Sequence, residues 1–511
     1  MLLEWGDNLT TTDITSILGV LTLSVFLILT FLPASTSWSK LPLVNDKLPS
    51  EVSYTNAAKR FQADAYNLIK AGFQKYTNAF RLVTDNGPRM VLSGKYANDV
   101  RSDNRLSFGK FMAVEFHSHV PGFEPFRQGS ADNPVFQDAV RMKLTQAIGL
   151  ITEPLSKETT HALQTNWTDN PEWHEITLQK TILDIVARLS SKVFLGDDVC
   201  RNPDWLRITV NYTVDSMVAA RQLRLYPRPL RSIAAWFLPS CRKIRAQIKE
   251  AREIITPILE QKRARKAELI QQGKPVGRSS DAMEWMEECA HGRPYDPTIS
   301  QLTFSLAAVH TTTDMLTQVI YDLCGQPDLV QALRDEATEV LREDGWKKTA
   351  LYKMKLMDSV LKESQRLKPT SIVSLRRVAT DKMQLPDGPE IPKGASIMVT
   401  CNQMWDSSVY PEGDKFDGYR FLNLRQIPGK ETSSQLVATS PEHMGFGHGK
   451  HACPGRFFAA NEMKIALCHM LLKYDFKAVD ERPPVIKAGV SLLANPRGKV
   501  AIRRRKEEIA L

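Results

Sequence analysis

No two cysteines in this chain stand close enough in sequence to act as a pair. The seven lie singly at 200, 241, 289, 324, 401, 453 and 468 without a C-x-x-C among them, which argues against a disulfide framework and for a reducing compartment. Internal repeats are absent too, and no internal linker divides the 511 residues, so the chain is one large domain or two or three ordinary ones. A nucleic-acid motif is missing. The formal net charge is +10, yet the 67 Lys and Arg are spread among 57 acids, a pattern better suited to an anionic membrane surface or an acidic protein partner.

Basic residues are also lacking ahead of the single long apolar run. Residues 14–33 hold no charge, enough for a helix rising ~1.5 Å per residue to cross a hydrocarbon core of ~30 Å. Glu4, Asp7 and Asp13 precede the run and Lys40 and Lys47 follow it. A cleaved secretory signal would need a basic n-region. The expectation is therefore one transmembrane helix with the N-terminus luminal and the body cytosolic. Asn8-Leu9-Thr10 then becomes a luminal glycosylation sequon with Asn8 as acceptor. Pro33, Pro42 and Pro49 predict a stiff, extended tether after the span. The resulting division is a tail and anchor over residues 1–36, a proline-rich hinge over 37–50 and a catalytic domain over 51–511.

Beyond the hinge the periodicity predicts a helix over residues 55–75, then short apolar runs at 80–83 and 90–92 that read as a small strand-rich lobe. The Phe-, Gly-, Pro- and His-rich stretch 106–136 reads as a long loop, followed by a helix carrying Arg141 and Lys143. Helical patterns dominate residues 173–272. They are interrupted at 226–239, where Arg228 and Arg231 mix with Ile233, Trp236 and Phe237, a composition suited to a membrane interface or to an ordinary core-capping loop. Residues 299–326 form a long apolar helix interrupted at 307–314, where polar residues enter it. Thr there can return its hydroxyl to the preceding turn and bend the helix, and Ala307 and Ala308 leave room beside it for a flat ligand. In the helix ending at Leu367, Glu363 and Arg366 sit three apart on one face, where they can pair.

The densest chemistry lies at residues 446–456, where Gly447, Gly449 and Gly455 bracket Cys453 and Pro454 follows it. Glycines let backbone N–H groups approach a sulfur closely, and proline removes one donor and stiffens the turn. Such a loop, tight and dry, can hold a haem iron through a thiolate whose electron donation those N–H groups set. A buried structural cysteine is the plainer alternative. A phosphate loop fits poorly, because Met444 stands where the first glycine belongs and His451 where Ser or Thr is required. Zinc held by His448, His451 and Cys453 would want a fourth ligand, and none is spaced nearby.

Phe446, Gly449, Cys453 and Gly455 match F-x-x-G-x-x-x-C-x-G, and on this motif the chain resembles the cytochrome P450 superfamily. Three further stretches carry the resemblance in the proper order. Residues 307–312 resemble the family's oxygen-activation groove, with Thr311 at its threonine, His310 where an acid is usual and Ala308 where glycine is usual. Glu363 and Arg366 match E-x-x-R, whose partner is the arginine of a later loop, here Arg420; Gly418 replaces a frequent proline there. Arg377 and His451 correspond to haem-propionate partners. A basic partner on the helix after residue 136 is implied as well, with Arg141 and Lys143 as candidates, although the familiar Trp-x-x-x-Arg is missing.

The resemblance implies a mainly α-helical fold with a minor β lobe, preceded by the membrane helix, with haem b between the Thr311 helix and Cys453 as axial iron ligand. It implies a monooxygenase in the endoplasmic reticulum membrane, using O2 and NADPH electrons. The chain carries no flavin fingerprint, so a separate reductase, NADPH-cytochrome P450 reductase with cytochrome b5 as a further partner, is implied. Details such as residues 307–312 and 451–459 look most like fungal ent-kaurene oxidases and their relatives in terpenoid pathways. A haem-thiolate isomerase or lyase that does not use O2, and a non-catalytic haem-binding membrane protein, are the rival expectations.

Overall fold

The structure is a computed structural model and describes residues 15–16, 19–20, 40–130, 135–275, 277 and 281–510. Lys40 to Asn45 lie along the first strand, with the Arg81 N–H donating to the Pro42 carbonyl at 2.8 Å and the Val44 N–H to the Arg81 carbonyl at 3.0 Å. The described part of the expected hinge is thus stitched to the β lobe. Helix α1, Thr55–Lys75, follows as expected, burying Phe61, Ala65 and Ile69 on one stripe.

The larger sheet holds β1 (Ala79–Thr84), β2 (Gly87–Leu92), β3 (Leu106–Ser107), β4 (Val373–Ala379) and β5 (Ser396–Thr400) in the order β1-β2-β5-β4-β3. Pairing is antiparallel except between β2 and β5, where Met90 aligns with Ile397. The register of β4 on β5 slips between Ser374 and Arg377, and Leu375, inside the slip, takes a left-handed φ of 49°. A buried leucine held in that conformation marks a bulge that the surrounding packing enforces, and a bulge re-aims side chains.

Residues 106–136 are not the loop expected. They contain α2, Phe108–Phe116, started by Ser107, whose hydroxyl accepts from the Lys110 N–H, and a short helix Glu124–Gln128 with Pro125 in its first turn. Aromatic and glycine content concealed these helices, because burial of Phe111, Phe123 and Phe126 outweighs weak propensity. A π-helical stretch, Ala139–Leu144, then leads into α3, Thr145–Asn166.

The helical body comprises α3, α4 (Leu178–Leu195), α5 (Pro203–Leu223), α6 (Pro239–Gln271), α7 (Pro297–Leu323), α8 (Lys355–Leu367) and α9 (Arg456–Lys473). Helix α7 is central, packed against α4, α5, α6, α8 and α9. Asp296 caps it by accepting from the Ile299 N–H at 3.1 Å, with Pro297 at the first helical position. It stays helical through residues 307–314, where polar residues interrupt its apolar pattern. The threonines there return their hydroxyls to the preceding turn as expected: Thr311 and Thr313 donate to the carbonyls of Ala307 and Val309.

The membrane helix is the expectation that needs correcting. Among the described residues no helix is long and apolar enough to cross a membrane. The longest, α6, is dense in Arg, Lys and Glu, and α7 interleaves Thr, Ser and Gln with its apolar residues while packing inside the body. A span needs about twenty predominantly apolar residues in a row, and neither supplies them. The run expected to span, residues 14–33, and Asn8 lie outside the described residues apart from Thr15, Ser16, Gly19 and Val20. The fold class is thus mainly α with a minor β lobe, with no helix among the described residues able to cross a membrane. The single-pass anchor, the luminal N-terminus and the endoplasmic-reticulum placement are withdrawn with it.

Candidate functional site

Cys453 lies in a turn that precedes α9, and the loop is tied at both ends. Its N–H donates to the Phe446 carbonyl at 2.8 Å, the Gly447 N–H to the Met444 carbonyl at 2.8 Å, and the Ala452 N–H to the Gly449 carbonyl at 3.0 Å. Gly449 has a φ of 74°, and a Cβ there would meet the Arg101 side chain at 2.5 Å, so only glycine fits. Burial pushes the Cys453 thiol up from its usual range; the Gly455 N–H, the Arg456 guanidinium and the Arg456 N–H oppose that shift. Arg456 also clamps the turn, donating to the Cys453 carbonyl at 2.9 Å and the Val437 carbonyl at 3.0 Å.

Two adjoining cavities, about 270 and 360 Å³, share Cys453, Phe446, Pro454, Phe136 and Ala307 as walls. Together they are of the size that holds a small-molecule ligand, roughly 300–1,000 Å³. Helix α7 forms the wall opposite the sulfur. Among the α7 residues that line this space, Ala307 and Thr311, one turn apart, are the exposed ones. The Thr311 hydroxyl is bonded to the Ala307 carbonyl at 2.8 Å and reaches that of Ala308 at 3.3 Å.

His310 points elsewhere: its Nε2 lies 2.9 Å from the Val210 carbonyl of α5, and burial lowers its pKa from the usual 6.5. It does not line either cavity. Arg377 and His451 do line the second one. They meet across Phe108, the Arg377 guanidinium 5.3 Å from the ring and the His451 ring 5.4 Å from it. Burial, then the neighbouring Arg376, pulls the Arg377 guanidinium down to about 10. Arg141 and Lys143 line neither wall. The first donates to the Lys450 carbonyl at 3.1 Å, and the second pairs with Glu288 at 2.5 Å.

Glu363, Arg366 and Arg420 are brought together in the core. Arg366 spans both carboxylate oxygens of Glu363 at 2.8 Å, and Arg420 Nε adds a bond to one of them at 3.1 Å. Gly418 in that loop is held tightly, since a Cβ would stand 2.6 Å from Leu329, while its carbonyl accepts from Ser359 at 2.7 Å.

Two residues escaped the sequence reading. Glu462 on α9 is fully buried, accepts from the Ser190 hydroxyl at 2.8 Å, and leaves Oε2 without a partner. Burial drives its carboxyl up to about 8 against the pull of Ser190 and of Thr312, a cavity-lining residue. A lone acid in the apolar run from Phe458 to Leu472 is the signal that could have found it. Arg376 is the other, overshadowed by Arg377 beside it.

The chain matches the cytochrome P450 family over residues 64–502. It belongs to that family. Among its relatives, the cytochrome P450 monooxygenase adrA of Penicillium rubens is 51% identical over 501 residues, with 97% of each chain covered. The cytochrome P450 monooxygenase esdpI of Penicillium shearii is 50% identical over 473 residues, 92% of each chain, and trt6 of Aspergillus terreus, another cytochrome P450 monooxygenase, 48% over 465 residues, 90% of this chain and 94% of its own. This P450 is therefore an oxidoreductase of the monooxygenase family, related to fungal enzymes. The finer likeness to ent-kaurene oxidases is not carried by these relatives, whose descriptions say monooxygenase. Membership implies haem b, NADPH-linked electron transfer, and a reductase and a substrate as partners.

The residues fit that group. The lining supplies one sulfur with backbone donors, apolar and aromatic walls, and a pair of basic side chains at one edge. A Cβ on Gly455 would project into the cavity, its nearest protein atom Val140 Cγ1 at 3.9 Å, so the glycine keeps a space clear that packing alone does not require. Among the described residues no cluster of three or more His, Cys, Asp or Glu could hold a metal ion.

Proposed function

We propose that the chain, with residues 51–511 as its catalytic unit, is a haem-thiolate monooxygenase acting on a hydrophobic secondary metabolite of terpenoid size. The observation that carries this is the placement of Cys453, wrapped by backbone donors, across one apolar cavity from the Ala307–Thr311 face of α7. Haem b bound there supplies the oxidising chemistry, insertion of one atom of O2 into the substrate with electrons from NADPH brought by a separate flavoprotein reductase. Cys453 holds the iron, and the Gly455 and Arg456 N–H groups bear on its sulfur and temper its charge. Arg377 and His451 hold the carboxylates of the cofactor at the Phe108 edge. The Thr311 hydroxyl, already turned to the Ala307 carbonyl, can hold a water in the cavity and pass on its proton. The walls are Phe136, Phe194, Phe304 and Met315 among others, which exclude water and favour a carbon skeleton over a polar substrate.

The test is reconstitution with reductase and NADPH against a panel of terpenoid intermediates, products being identified by mass spectrometry. NADPH-dependent gain of one oxygen is the expected result. Turnover without NADPH would point instead to an isomerase or lyase.

A further inference from the structure

The cavity wall that Cys453 shares with β4 is basic without an acid. Arg376, Arg377, His448 and His451 line it, and no Asp or Glu does. His448 is engaged within the fold, with Asn98 at 3.1 Å and Arg101 at 3.2 Å. Arg377 and His451 sit together at Phe108, the pair assigned above to the two carboxylates of the cofactor. Arg376 belongs to neither group.

The bulge at Leu375 sends Arg376 to a different ring. Its guanidinium lies 5.4 Å from Phe111 of α2, whose ring also carries Arg89 at 5.3 Å. Glu115, at the end of α2, is the carboxylate within reach, and it is already committed: to Arg89 directly, to Arg224 at 3.4 Å and to the Asn86 amide at 3.2 Å. Burial would raise the Glu115 carboxyl, but Arg89, Arg224 and Arg376 outweigh it and hold the group at about 2. Arg224 takes Asp85 as well, at 2.5 Å. Arg231, beside them, is pulled down to about 10 by burial, then by Arg228 and Arg224. Cations outnumber anions here, and Arg376 among them is half-buried where it lines the cavity. The Nε atoms of Arg89 and Arg224 have no partner, and the Arg376 guanidinium makes no hydrogen bond among the described residues. A half-buried cation in that state, open to the cavity, is favoured by an anion that arrives to meet it.

We propose that the arriving anion is a carboxylate on the substrate, so that the compound this enzyme oxidises is an acid-bearing hydrocarbon held by Arg376. The acid group lies at Arg376, and the carbon skeleton extends past Met112, Phe126 and Leu306 toward Cys453. Arg376 determines specificity and takes no part in the oxidation. The planar guanidinium suits a carboxylate in two-point contact, and the apolar surroundings strengthen that contact relative to water. The inference rests on the proposed monooxygenase reading and narrows its substrate class.

The experiment titrates haem-loaded full-length protein with abietic acid and with methyl abietate, a diterpene acid and its neutral ester, and follows the haem spin-state change. The acid is expected to bind roughly tenfold more tightly than the ester, the strength of a charge-assisted hydrogen bond, with the advantage shrinking as salt is raised. Arg376→Gln removes the preference by weakening the acid about tenfold while the ester stays within about twofold, and Arg376→Lys retains part of it. Equal affinity for acid and ester in the wild type overturns the inference, whether or not the variants fold. So does a preference that survives Arg376→Gln, and so does a loss of haem per protein in both variants with the preference intact, which would assign Arg376 to the cofactor. A wild type without the thiolate-type ferrous carbonyl band would refute the function itself; a normal band with equal acid and ester binding refutes this inference alone.

Discussion

The arginines around Glu363 and those along the Cys453 cavity are all ionic and at least half-buried, yet one set is closed and the other open. Every guanidinium nitrogen of Arg366 is used, by both Glu363 oxygens and by the carbonyls of Met404, Gly413 and Lys415. Arg420 is equally complete, through Glu363 and the carbonyls of Pro411, Glu412 and Lys415. Along the cavity, Arg376 makes no hydrogen bond among the described residues and Gln365 Oε1 has no partner, while Glu462 Oε2, outside the lining, has none either. A closed cluster can only hold shape, because nothing is left to offer a ligand. Buried polar atoms without a partner occur elsewhere in the chain too, but those bordering the cavity are the ones a ligand can meet.

The comparison breaks first at the sulfur. Cys453→Ala should abolish the thiolate-type red-shifted ferrous carbonyl band and most haem retention, while the apoprotein keeps its helical circular dichroism, since the loop is held by backbone bonds that do not involve the sulfur. Persistence of the band would remove Cys453 from its assigned place.

On the closed side the loss should be of fold. Glu363→Ala strands two arginines and Arg366→Ala strands a carboxylate, each at about 3–5 kcal/mol, read as a fall in thermal midpoint and in the yield of haem-containing protein. Arg376→Gln, which relieves a surplus half-buried cation, should change stability by no more than about 1 kcal/mol. Equal losses in Arg366→Ala and Arg376→Gln would erase the distinction between the two sets.

How much of this was legible in the sequence follows the same division. Glu363, Arg366, Arg420 and Cys453 were readable because local spacing fixes them: a helix places i and i+3 together, and glycines bracket the sulfur. Arg376 and Glu462 were not, because their meaning depends on neighbours from distant segments, Glu115 and Arg89 for one, Ser190 and Thr312 for the other. The helices inside residues 106–136 were missed because aromatics and glycines lower propensity where burial decides. Arg141 and Lys143 looked alike on paper, and only the partners supplied by the fold, Lys450 and Glu288, show that both face away from the cavity. The anchor was inferred from composition alone, and no described helix supports it.

A smaller effect is expected from Glu462. Its carboxyl sits at about 8 in the folded chain against the usual 4.5, so the folded state keeps a proton that the unfolded state releases. The stability contributed by that group is therefore fully present below about 4.5 and is lost as pH rises through 8, at no more than about 1.4 kcal/mol per pH unit. Glu462→Gln, which cannot titrate, should gain on the wild type steadily between pH 5 and 8. Thermal midpoints at pH 5, 6.5 and 8 provide the measurement; parallel curves would mean that the carboxyl is ionised throughout.

The smallest change is expected where the sequence was most ambiguous, at the neighbours Thr311 and His310. Thr311 opens to the cavity and His310 does not, so their substitution should separate a group that handles protons from one that fastens α7 to α5. Thr311→Ala should keep the carbonyl band and bind substrate within about twofold, yet yield several-fold less product per NADPH, the remaining electrons appearing as peroxide. His310→Asn preserves a side-chain donor for the Val210 carbonyl. Its cost is then at most the roughly 1 kcal/mol of one hydrogen bond, seen in the thermal midpoint with coupling unchanged. Burial already keeps the imidazole neutral at working pH, so it has little charge to lend to a relay. Product formed per NADPH consumed decides between them: normal coupling in Thr311→Ala with a collapse in His310→Asn would exchange the two roles, and would place an open group on the side of α7 that faces α5.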